Sequence, residues 1–423
     1  MTPSQFESAP SLVDYVFMWV DSSNRHVLQS IVEAQRKHFI TDPPHAARVR
    51  DDGTFQFAVR SLLQSKLMMS IRNVYIVTSG EVPRWLTPWF GALTPDESPF
   101  TQRPLNTSLR SLIDECAGRP GHARSGQLIL HPYRSLFSDP VHELPTFNSN
   151  AILATLHRIP GLSRWFIYSD DDMVVTDREV GLDFWWDSGA GGRQRLFQGG
   201  DPSVNRVRPR DSNLWDQSLT YQAALLDRMA ADAAAAAGKK RMVGGPHGVS
   251  RYWPPMHMPV LLNVGVLFEM ESRFASHFAR TRANHVRSSD DLELNFFYQH
   301  YLVRAGYPVA KQPGGSTGVG YHRVISCGEP KGERMCKEAL YNPNFRVLCF
   351  NDGGGDEQLY AAGKRVLDGA LRRRFGAFPA KPLPTCKQTR SAGAFSKLVA
   401  RLQSLAGITG TLTLRSRRQA HNA

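Results

Sequence analysis

Three consecutive aspartates, Asp170, Asp171 and Asp172, end the apolar, strand-like segment RWFIYS. Carboxylates grouped at the end of a strand suit Mg²⁺ or Mn²⁺, because such an ion needs only one or two of them and takes further ligands from a diphosphate. We therefore predict a metal site at Asp171 and Asp172, with Asp170 as a further candidate ligand. A solvated acidic turn is the alternative.

A proline-bracketed segment, PPMHMP, contains His257. The prolines restrict the backbone and would hold the imidazole stiffly. Since the ordinary pKa of histidine is about 6.5, this side chain can take a proton from an attacking hydroxyl at neutral pH. We interpret His257 as a candidate general base. A histidine packed in the core is the alternative.

Arg287 and Asp291 are four residues apart in VRSSDDLEL, a spacing that places two side chains on one face of a helix. They are either an exposed ion pair of small energetic value or part of a phosphate site. In the second case the planar guanidinium would donate two hydrogen bonds to phosphate oxygens. The spacing alone does not separate these interpretations.

Further candidates for substrate binding lie elsewhere in the chain. Asn351 and Asp352 precede the glycine-rich GGGDE, Arg48 and Arg60 lie near the first helical segments, and Asn148 precedes another. The glycine-rich segment does not match the GxxxxGK[ST] pattern of a Walker loop, and no GxGxxG follows a strand. A nucleotide site of either of those types is therefore not predicted.

Three apolar segments rich in aromatic and β-branched residues are predicted to be buried strands: LVDYVFMWVD, NVYIVTSG and RWFIYSDDDM. Helical segments separate them, which is typical of an α/β fold with a parallel sheet. Ligands of such sheets bind beyond the carboxyl ends of the strands. Asp21, which ends the first segment, and the three aspartates of the third are both expected at that edge.

We predict four parts in the chain. Residues 1–185 and 246–385 are the two halves of a catalytic core, and residues 186–245 are a partly helical insertion with a run of alanines. Residues 386–423 form a basic tail with an amphipathic helix. The apolar stripe at 393–408 is predicted to contact an anionic membrane surface, and packing against the body of the protein is the alternative.

The composition is that of a globular protein, with 41% hydrophobic and 21% charged residues. Five widely spaced cysteines without a CxxC pair argue against a zinc ribbon or a dense disulfide framework, and buried or incidental thiols are expected. The net charge of +13 raises the alternative of nucleic-acid binding, but seven basic residues lie in the acid-free segment from Lys387 onward. With no basic-aromatic motif present, we predict no nucleic-acid partner.

The chain contains no apparent secretory signal and no apolar run long enough to span a membrane. We therefore expect a cytoplasmic protein, with peripheral contact to the inner face of the membrane through its tail. A location in the Golgi lumen is the alternative if an anchor is missing from this chain. The oligomeric state is not predicted.

In their order, these segments resemble the four blocks of the Stealth family of sugar-phosphate transferases. DYVFMWVD is similar to the first block, and the second runs from RVRDDGTFQFAVRSL to RWFIYSDDDM. HMP and HVRSSDDLELNFFYQHYLV are similar to the third block, and VLCFNDGGGDEQ is similar to the fourth. The family includes bacterial capsule polymerases and the enzyme that adds N-acetylglucosamine-1-phosphate to lysosomal proteins.

The resemblance implies a Rossmann-like, glycosyltransferase-A-type core, a nucleotide-sugar donor and a glycan acceptor. By motif, the essential histidine and arginine of the family correspond to His257 and Arg287, and its paired acids to Asp171 and Asp172. The implied reaction is attack of a hydroxyl on the β-phosphorus of the donor, which releases a nucleoside monophosphate. An ordinary glycosyltransferase, which moves the sugar without its phosphate, is the alternative.

One position departs from the family pattern. Leu153 stands where family members commonly carry a glutamate, in a segment that reads AIExxxHRI in the family. The function of that carboxylate is expected to fall to another acid, such as Asp170, unless the enzyme is altered or weak.

Overall fold

The computed structural model describes most of the chain up to Gly376, apart from several gaps. In addition to a few isolated positions, the described residues are 10–21, 53–90, 104–109, 126–187, 195–198, 214–238, 257–311, 322–326, 332–351 and 357–376. They all belong to one compact unit that comprises residues 1–379. A second unit, residues 380–423, lies outside the described residues, and so does the predicted membrane contact at 393–408.

The described residues contain twelve strands and ten α-helices, numbered in chain order. The strands are β1 (Val13–Met18), β2 (Ile71–Thr78), β3 (Leu105–Ser108), β4 (Gln127–Pro132), β5 (Trp165–Ser169), β6 (Met173–Val175), β7 (Trp186–Asp187), β8 (Arg195–Gln198), β9 (Val260–Asn263), β10 (Val309–Lys311), β11 (His322–Ser326) and β12 (Val347–Asn351). The helices are α1 (Phe55–Leu63), α2 (Thr87–Phe90), α3 (Pro140–Glu143), α4 (Ser149–Leu153), α5 (Leu214–Ala236), α6 (Val264–Arg273), α7 (Ala275–Ala283), α8 (Leu294–Arg304), α9 (Gly332–Tyr341) and α10 (Glu357–Phe375).

The central sheet has the strand order β3-β4-β2-β1-β5-β9. Its four inner strands run parallel, and the two edge strands run antiparallel to their neighbours. The predicted α/β fold with a mostly parallel sheet is confirmed. The chain leaves β1 on one side to form β2 and β4 and later places β5 on the other side, so the strand order reverses at β1. Such a switch point is where open α/β sheets bind their ligands.

The inner strands are buried because their side chains are apolar on both faces of the sheet. In β1, residues 13–17 are all buried, and the five residues of β5 are buried as well. Tyr15, Phe17 and Phe166 are among the largest side chains that are completely enclosed. This packing fixes the carboxyl ends of β1 and β5, after which Asp21 and Asp170 follow.

A second, three-stranded sheet has the order β11-β12-β6. Strand β6 starts directly after Asp172, and β12 pairs with it antiparallel, so that Cys349 lies opposite Met173. The backbone N–H of Phe350 donates to the carbonyl of Asp172 over 3.0 Å. This pairing brings a strand from the predicted fourth block against the end of the aspartate cluster.

The predicted insertion contributes ordered elements to the compact unit. Strand β8 lies between β7 and β10 in a third small sheet. Helix α5 starts at Leu214, ahead of the alanine run, and buries Leu219, Leu225, Leu226 and Met229. The partly helical character predicted for this segment agrees with these elements, and its side chains join the core of the surrounding protein.

Two of the described cysteines differ in oxidation state. Cys336 is disulfide-bonded, whereas Cys349 is a buried free thiol. The expectation that the thiols are incidental is therefore wrong for Cys336.

Within the described part of the chain, no helix has the length and hydropathy of a membrane span.

Candidate active site

His257 lies between two groups that contact its two ring nitrogens. Its Nδ1 is 3.1 Å from Sγ of Cys349, and its Nε2 is 3.5 Å from Oδ2 of Asp170. The side chain of His257 is 43% exposed, so a substrate can reach the imidazole. The alternative of a histidine packed in the core is therefore wrong, and the geometry fits a base beside the carboxyl end of β5.

The three aspartates have different surroundings. Asp170 accepts a hydrogen bond from the hydroxyl of Tyr168. Burial is the main cause of the raised pKa of that phenol, and the negative charge of Asp170 raises it further. Asp172 accepts at Oδ2 from the thiol of Cys349 over 3.2 Å. Asp171, between them, is partly exposed. In this cluster Asp170 lies beside His257 and Asp172 lies beside Cys349, and all three aspartates are partly exposed.

The side chains near the predicted magnesium site show whether they could ligate the ion. No group of three or more His, Cys, Asp or Glu residues in the described segments is arranged to hold a metal ion. Magnesium, however, usually takes one or two carboxylates, and substrate phosphates and waters complete its coordination. The hard oxygen donors of Asp171 and Asp172 suit that mode of binding, and the metal itself stays a prediction.

Arg287 does not form the helical pair with Asp291 that the spacing suggested. Residues 284–293 form a loop, and α8 begins only at Leu294. The Nη2 atom of Arg287 donates to Oγ of Ser149 over 2.8 Å, and the arginine side chain is exposed. The predicted pairing on one helical face is wrong, and the guanidinium is accessible to a substrate.

Asn148 and Asp291, both predicted to bind substrate, contact each other in the interior. The carboxylate of Asp291 accepts from Asn148 Nδ2, from Asn284 Nδ2 and from the N–H of Ser288, each over 2.8 Å. Both residues are completely buried, and burial raises the pKa of Asp291. We assign them a positioning role, because they join the start of α4 to the loop that carries Arg287.

Glu293 is a residue of this site that the sequence analysis missed. Its carboxylate caps α8 by accepting from the N–H of Phe296 over 2.7 Å. Burial raises the pKa of Glu293 to about 7, the charge of Asp170 also acts to raise it, and His257 and Arg287 act in the opposite direction. An acid just before an apolar helical run is a signal for a helix cap, but it does not indicate which charges surround it.

Two further residues that were predicted to bind substrate, Asp21 and Arg60, have contacts other than with His257 and the three aspartates. The charge of Asp21 acts on Glu81, whose pKa is raised chiefly by burial, so these two acids are neighbours near the ends of β1 and β2. Arg60 donates through Nε to the carbonyl of Phe375, the last residue of α10. The guanidinium therefore caps the C-terminal end of that helix. Its predicted contact with substrate stays a prediction.

Three further predicted residues are only partly covered by the structure. Asn351 is the last residue of β12, and its side chain is outside the described part. Arg48 and Asp352 lie outside the described residues altogether.

Leu153, at the end of α4, is buried in the hydrophobic core. An acid at that position would need a polar partner, because a buried charge is costly unless it is paired.

The site thus combines a partly exposed histidine, an exposed guanidinium and carboxylates suited to a divalent cation, at the switch point of a parallel sheet. These are the parts that a phosphoryl-transfer enzyme uses to position its substrates and to neutralise charge.

Comparison with family models assigns the chain more specifically. The model of Stealth protein CR2, conserved region 2, matches residues 124–191, and that of Stealth protein CR3, conserved region 3, matches residues 256–304. The chain therefore matches two conserved regions of the Stealth family, as its motifs indicated. The first matched region contains the three aspartates, and the second contains His257 and Arg287. The first and fourth blocks stay predictions.

Curated relatives extend the similarity beyond these two regions. The chain is 27% identical over 344 residues to exopolysaccharide phosphotransferase SCO2594 of Streptomyces coelicolor, which covers 80% of this chain and 46% of the relative. It is 26% identical over 348 residues to exopolysaccharide phosphotransferase CpsY of Mycobacterium tuberculosis, with 82% and 53% covered. With capsular polysaccharide phosphotransferase SacB of Neisseria meningitidis serogroup A it shares 26% over 295 residues, with 70% and 43% covered. The chain spans about half the length of these relatives.

Among solved structures, the chain is similar to galactosyltransferase LgtC in complex with donor and acceptor sugar analogues. The TM-score is 0.36 and the sequence identity 11%, with 85% of this chain and 96% of the other covered. A score at this level carries no argument about shared architecture. The glycosyltransferase-A-type core therefore stays a prediction beside the observed mostly parallel sheet.

Proposed function

We propose that this protein transfers hexose-1-phosphate from a nucleotide-diphosphate sugar to a hydroxyl of a glycan, in the synthesis of an exopolysaccharide or capsule. The names of the relatives, which are phosphotransferases for such polymers, support the reaction class. The observation that carries the proposal is the position of His257. Its partly exposed Nε2 lies 3.5 Å from Asp170 at the carboxyl edge of the sheet.

In the proposed reaction, the oxygen of the acceptor hydroxyl attacks the β-phosphorus of the donor. Nε2 of His257 accepts the hydroxyl proton, and the carboxylate of Asp170 stabilises the imidazolium that forms. The phosphoanhydride bond breaks, and the nucleoside monophosphate leaves with the bonding electrons. The exposed guanidinium of Arg287 stabilises the negative charge on the transferred phosphoryl group, which is the main requirement of this chemistry.

Asp171 and Asp172 would hold Mg²⁺ or Mn²⁺ in this proposal. When bound, the ion supplies positive charge that offsets the charge of the donor diphosphate. Asp21, Asn351 and Asp352 remain candidates for contacts to the donor.

The test uses the purified full chain with magnesium, a panel of UDP- and GDP-sugars and candidate glycan acceptors. Mass spectrometry should find a nucleoside monophosphate, together with an acceptor whose mass has increased by one hexose and one phosphate. A nucleoside diphosphate, with an acceptor that has gained only the sugar, would identify an ordinary glycosyltransferase and refute the proposal.

Variants link that activity to the site. His257→Ala should abolish turnover while the thermal unfolding transition is retained. The matched control is His142→Ala, because the side chain of His142 is 81% exposed and pairs only with its neighbour Asp139 among the described contacts. Unchanged turnover of the His257 variant would remove this residue as the base.

For the location, we propose the cytoplasmic side of the membrane, with the basic tail as the contact. One structural feature opposes this proposal: Cys336 is disulfide-bonded, and disulfides persist mainly in oxidising compartments. Fractionation of producing cells, combined with trapping of free thiols, tests the location directly. Recovery of the protein outside the cytoplasm with an oxidised Cys336 would contradict the proposal.

A further inference from the structure

The free thiol of Cys349 connects His257 to Asp172. Sγ lies 3.1 Å from Nδ1 of His257 and 3.2 Å from Oδ2 of Asp172. Cys349 is 1% exposed, so water does not compete freely for either contact. A buried cysteine usually acts as a small apolar side chain. In this protein it has a polar partner on each side.

The direction of these hydrogen bonds follows from the groups involved. An ionised carboxylate can only accept, so the single S–H proton of Cys349 is donated to Asp172. The sulfur can then act only as an acceptor toward His257, which requires the proton of the neutral imidazole to reside on Nδ1. Nε2 is left with a lone pair and no proton.

This is the form in which an imidazole acts as a base through Nε2. The opposite contact favours the other form, because the carboxylate of Asp170, 3.5 Å from Nε2, would accept a proton located there. The two neighbours of His257 therefore compete over its tautomer. The contact with sulfur is the shorter of the two.

We propose that Cys349 is a positioning residue that holds His257 in the tautomer with a protonated Nδ1 and an unprotonated Nε2. The inference rests on the proposed function in so far as Nε2 is the atom that takes the proton of the acceptor hydroxyl. The arrangement follows the logic of a nucleophile-activating triad, in which a third group orients the base. A hydrogen-bonded thiol and carboxylate fill that position in this site.

The backbone fixes the thiol independently of its hydrogen bonds. Cys349 lies in the middle of β12, opposite Met173 of β6, and the next residue, Phe350, donates its N–H to the carbonyl of Asp172. The pairing therefore sets the distance between the Cys349 side chain and Asp172. Replacement of the thiol should leave the strand in place and remove only the connection.

The first test measures the tautomer itself. The full chain is labelled with ¹⁵N in histidine, and the ring nitrogens of His257 are assigned by comparison with His257→Gln, above the pH at which histidine is protonated. The protonated nitrogen should be Nδ1 in the wild type and in Cys349→Ser, whose hydroxyl can make both hydrogen bonds. In Cys349→Ala the proton should shift toward Nε2. A wild-type ring protonated at Nε2 would overturn the proposal.

The second test measures sugar-phosphate transfer by the same variants. Cys349→Ala should lower kcat by about 10- to 100-fold with little change in KM, which is less than the factor of about 10² to 10⁴ that a general base contributes. Cys349→Ser should restore most of the activity. Equal kcat for the wild type and Cys349→Ala, or a loss of the same size in the serine variant with unfolding unchanged, would contradict the proposal.

The two measurements separate the inference from the proposed function. If the wild type releases no nucleoside monophosphate with any donor, the proposed function fails, and the ¹⁵N spectrum still decides the tautomer. If the wild type is active while the spectrum shows a proton on Nε2, the inference about Cys349 fails and the proposed function stands.

Discussion

Arg287 donates a hydrogen bond from Nη2 to Oγ of Ser149 over 2.8 Å, and this bond joins two positions that are 138 residues apart. Ser149 is the first residue of α4 in the second conserved region, and Arg287 belongs to the third. The direction of the guanidinium thus depends on where α4 begins. Asn148 determines that point, because its side chain caps the helix by accepting from the N–H of Asn150 over 3.1 Å.

The first prediction concerns the chemistry of Arg287. Arg287→Lys should lower kcat/KM by about 10²- to 10³-fold, because an ammonium cannot reproduce two parallel hydrogen bonds to phosphate oxygens. Ser149→Ala should cause a smaller loss, since it removes only the group that orients the guanidinium. Steady-state kinetics with the donor found by the mass-spectrometric panel provide the measurement. A lysine variant as active as the wild type would show that Arg287 does not contact the phosphoryl group.

The second prediction concerns the buried pair Asn148 and Asp291. Asp291→Ala should lower the free energy of unfolding by about 2–4 kcal/mol, because one buried and two partly buried N–H donors lose their acceptor. Urea unfolding provides the measurement. Asp290→Ala is the matched control, since the side chain of Asp290 is 34% exposed and its contacts lie nearer the surface. If the two variants are equally stable, the buried carboxylate is not what holds the loop.

A third prediction follows from Glu271, which has three basic neighbours. It contacts His157 over 2.8 Å, Arg282 over 2.6 Å and also Arg158. Burial alone would raise the pKa of Glu271, but the hydrogen bonds from His157 and Arg158 outweigh it and lower the pKa to about 2. Because the folded-state pKa is depressed from 4.5, the stabilisation is complete above about pH 4.5 and is lost as the pH falls toward 2.

Glu271→Gln should therefore be less stable than the wild type at neutral pH, by about 3 kcal/mol or more, since it leaves buried cations without their counter-charge. The difference should shrink as the pH is lowered from 4.5 toward 2, the range over which the wild-type carboxylate is protonated. Thermal unfolding from acid to neutral pH measures both. A difference that stays constant across this range would show that the charge of Glu271 contributes nothing.

The positions of the acidic residues at the edge of the sheet could be predicted from the sequence, because buried strands have a recognisable pattern. Long apolar runs that end in acids are buried strands with their polar ends at one edge, and this placed Asp21 and Asp170 correctly with respect to the sheet. The partners of His257 were not predictable, because Cys349 is 92 residues away in sequence and reaches the imidazole only through the pairing of β12 with β6. Local patterns carry no information about such pairings.

The error about Arg287 and Asp291 has a local cause. A spacing of four residues suits a helix, but the carboxylate of Asp291 accepts from the N–H of Ser288 and stabilises a loop instead. Aspartate side chains compete in this way with helical hydrogen bonding. Glu293, the actual helix cap, comes two residues later, and only tertiary packing places it beside Asp170.

The last prediction concerns Glu293 and the dependence of stability on pH. The pKa of this carboxyl is raised from 4.5 to about 7, mainly by burial. A raised folded-state pKa means that the native state binds the proton more tightly than the unfolded chain does. The stability from this group is therefore complete below about pH 4.5 and is lost as the pH rises toward 7.

Glu293→Gln should remove that loss, because the amide oxygen can still accept from Phe296 while carrying no charge. The variant should match the wild type near pH 4.5 and exceed its stability above pH 7, by at most about 3–4 kcal/mol at ~1.4 kcal/mol per pKa unit. Asp170→Asn is the informative control: removing the neighbouring negative charge should lower the pKa of Glu293 and move the transition to lower pH. Parallel stability curves for Glu293→Gln and the wild type would mean that the pKa of Glu293 is the same in the folded and unfolded chain, and that the charges of His257 and Arg287 offset its burial.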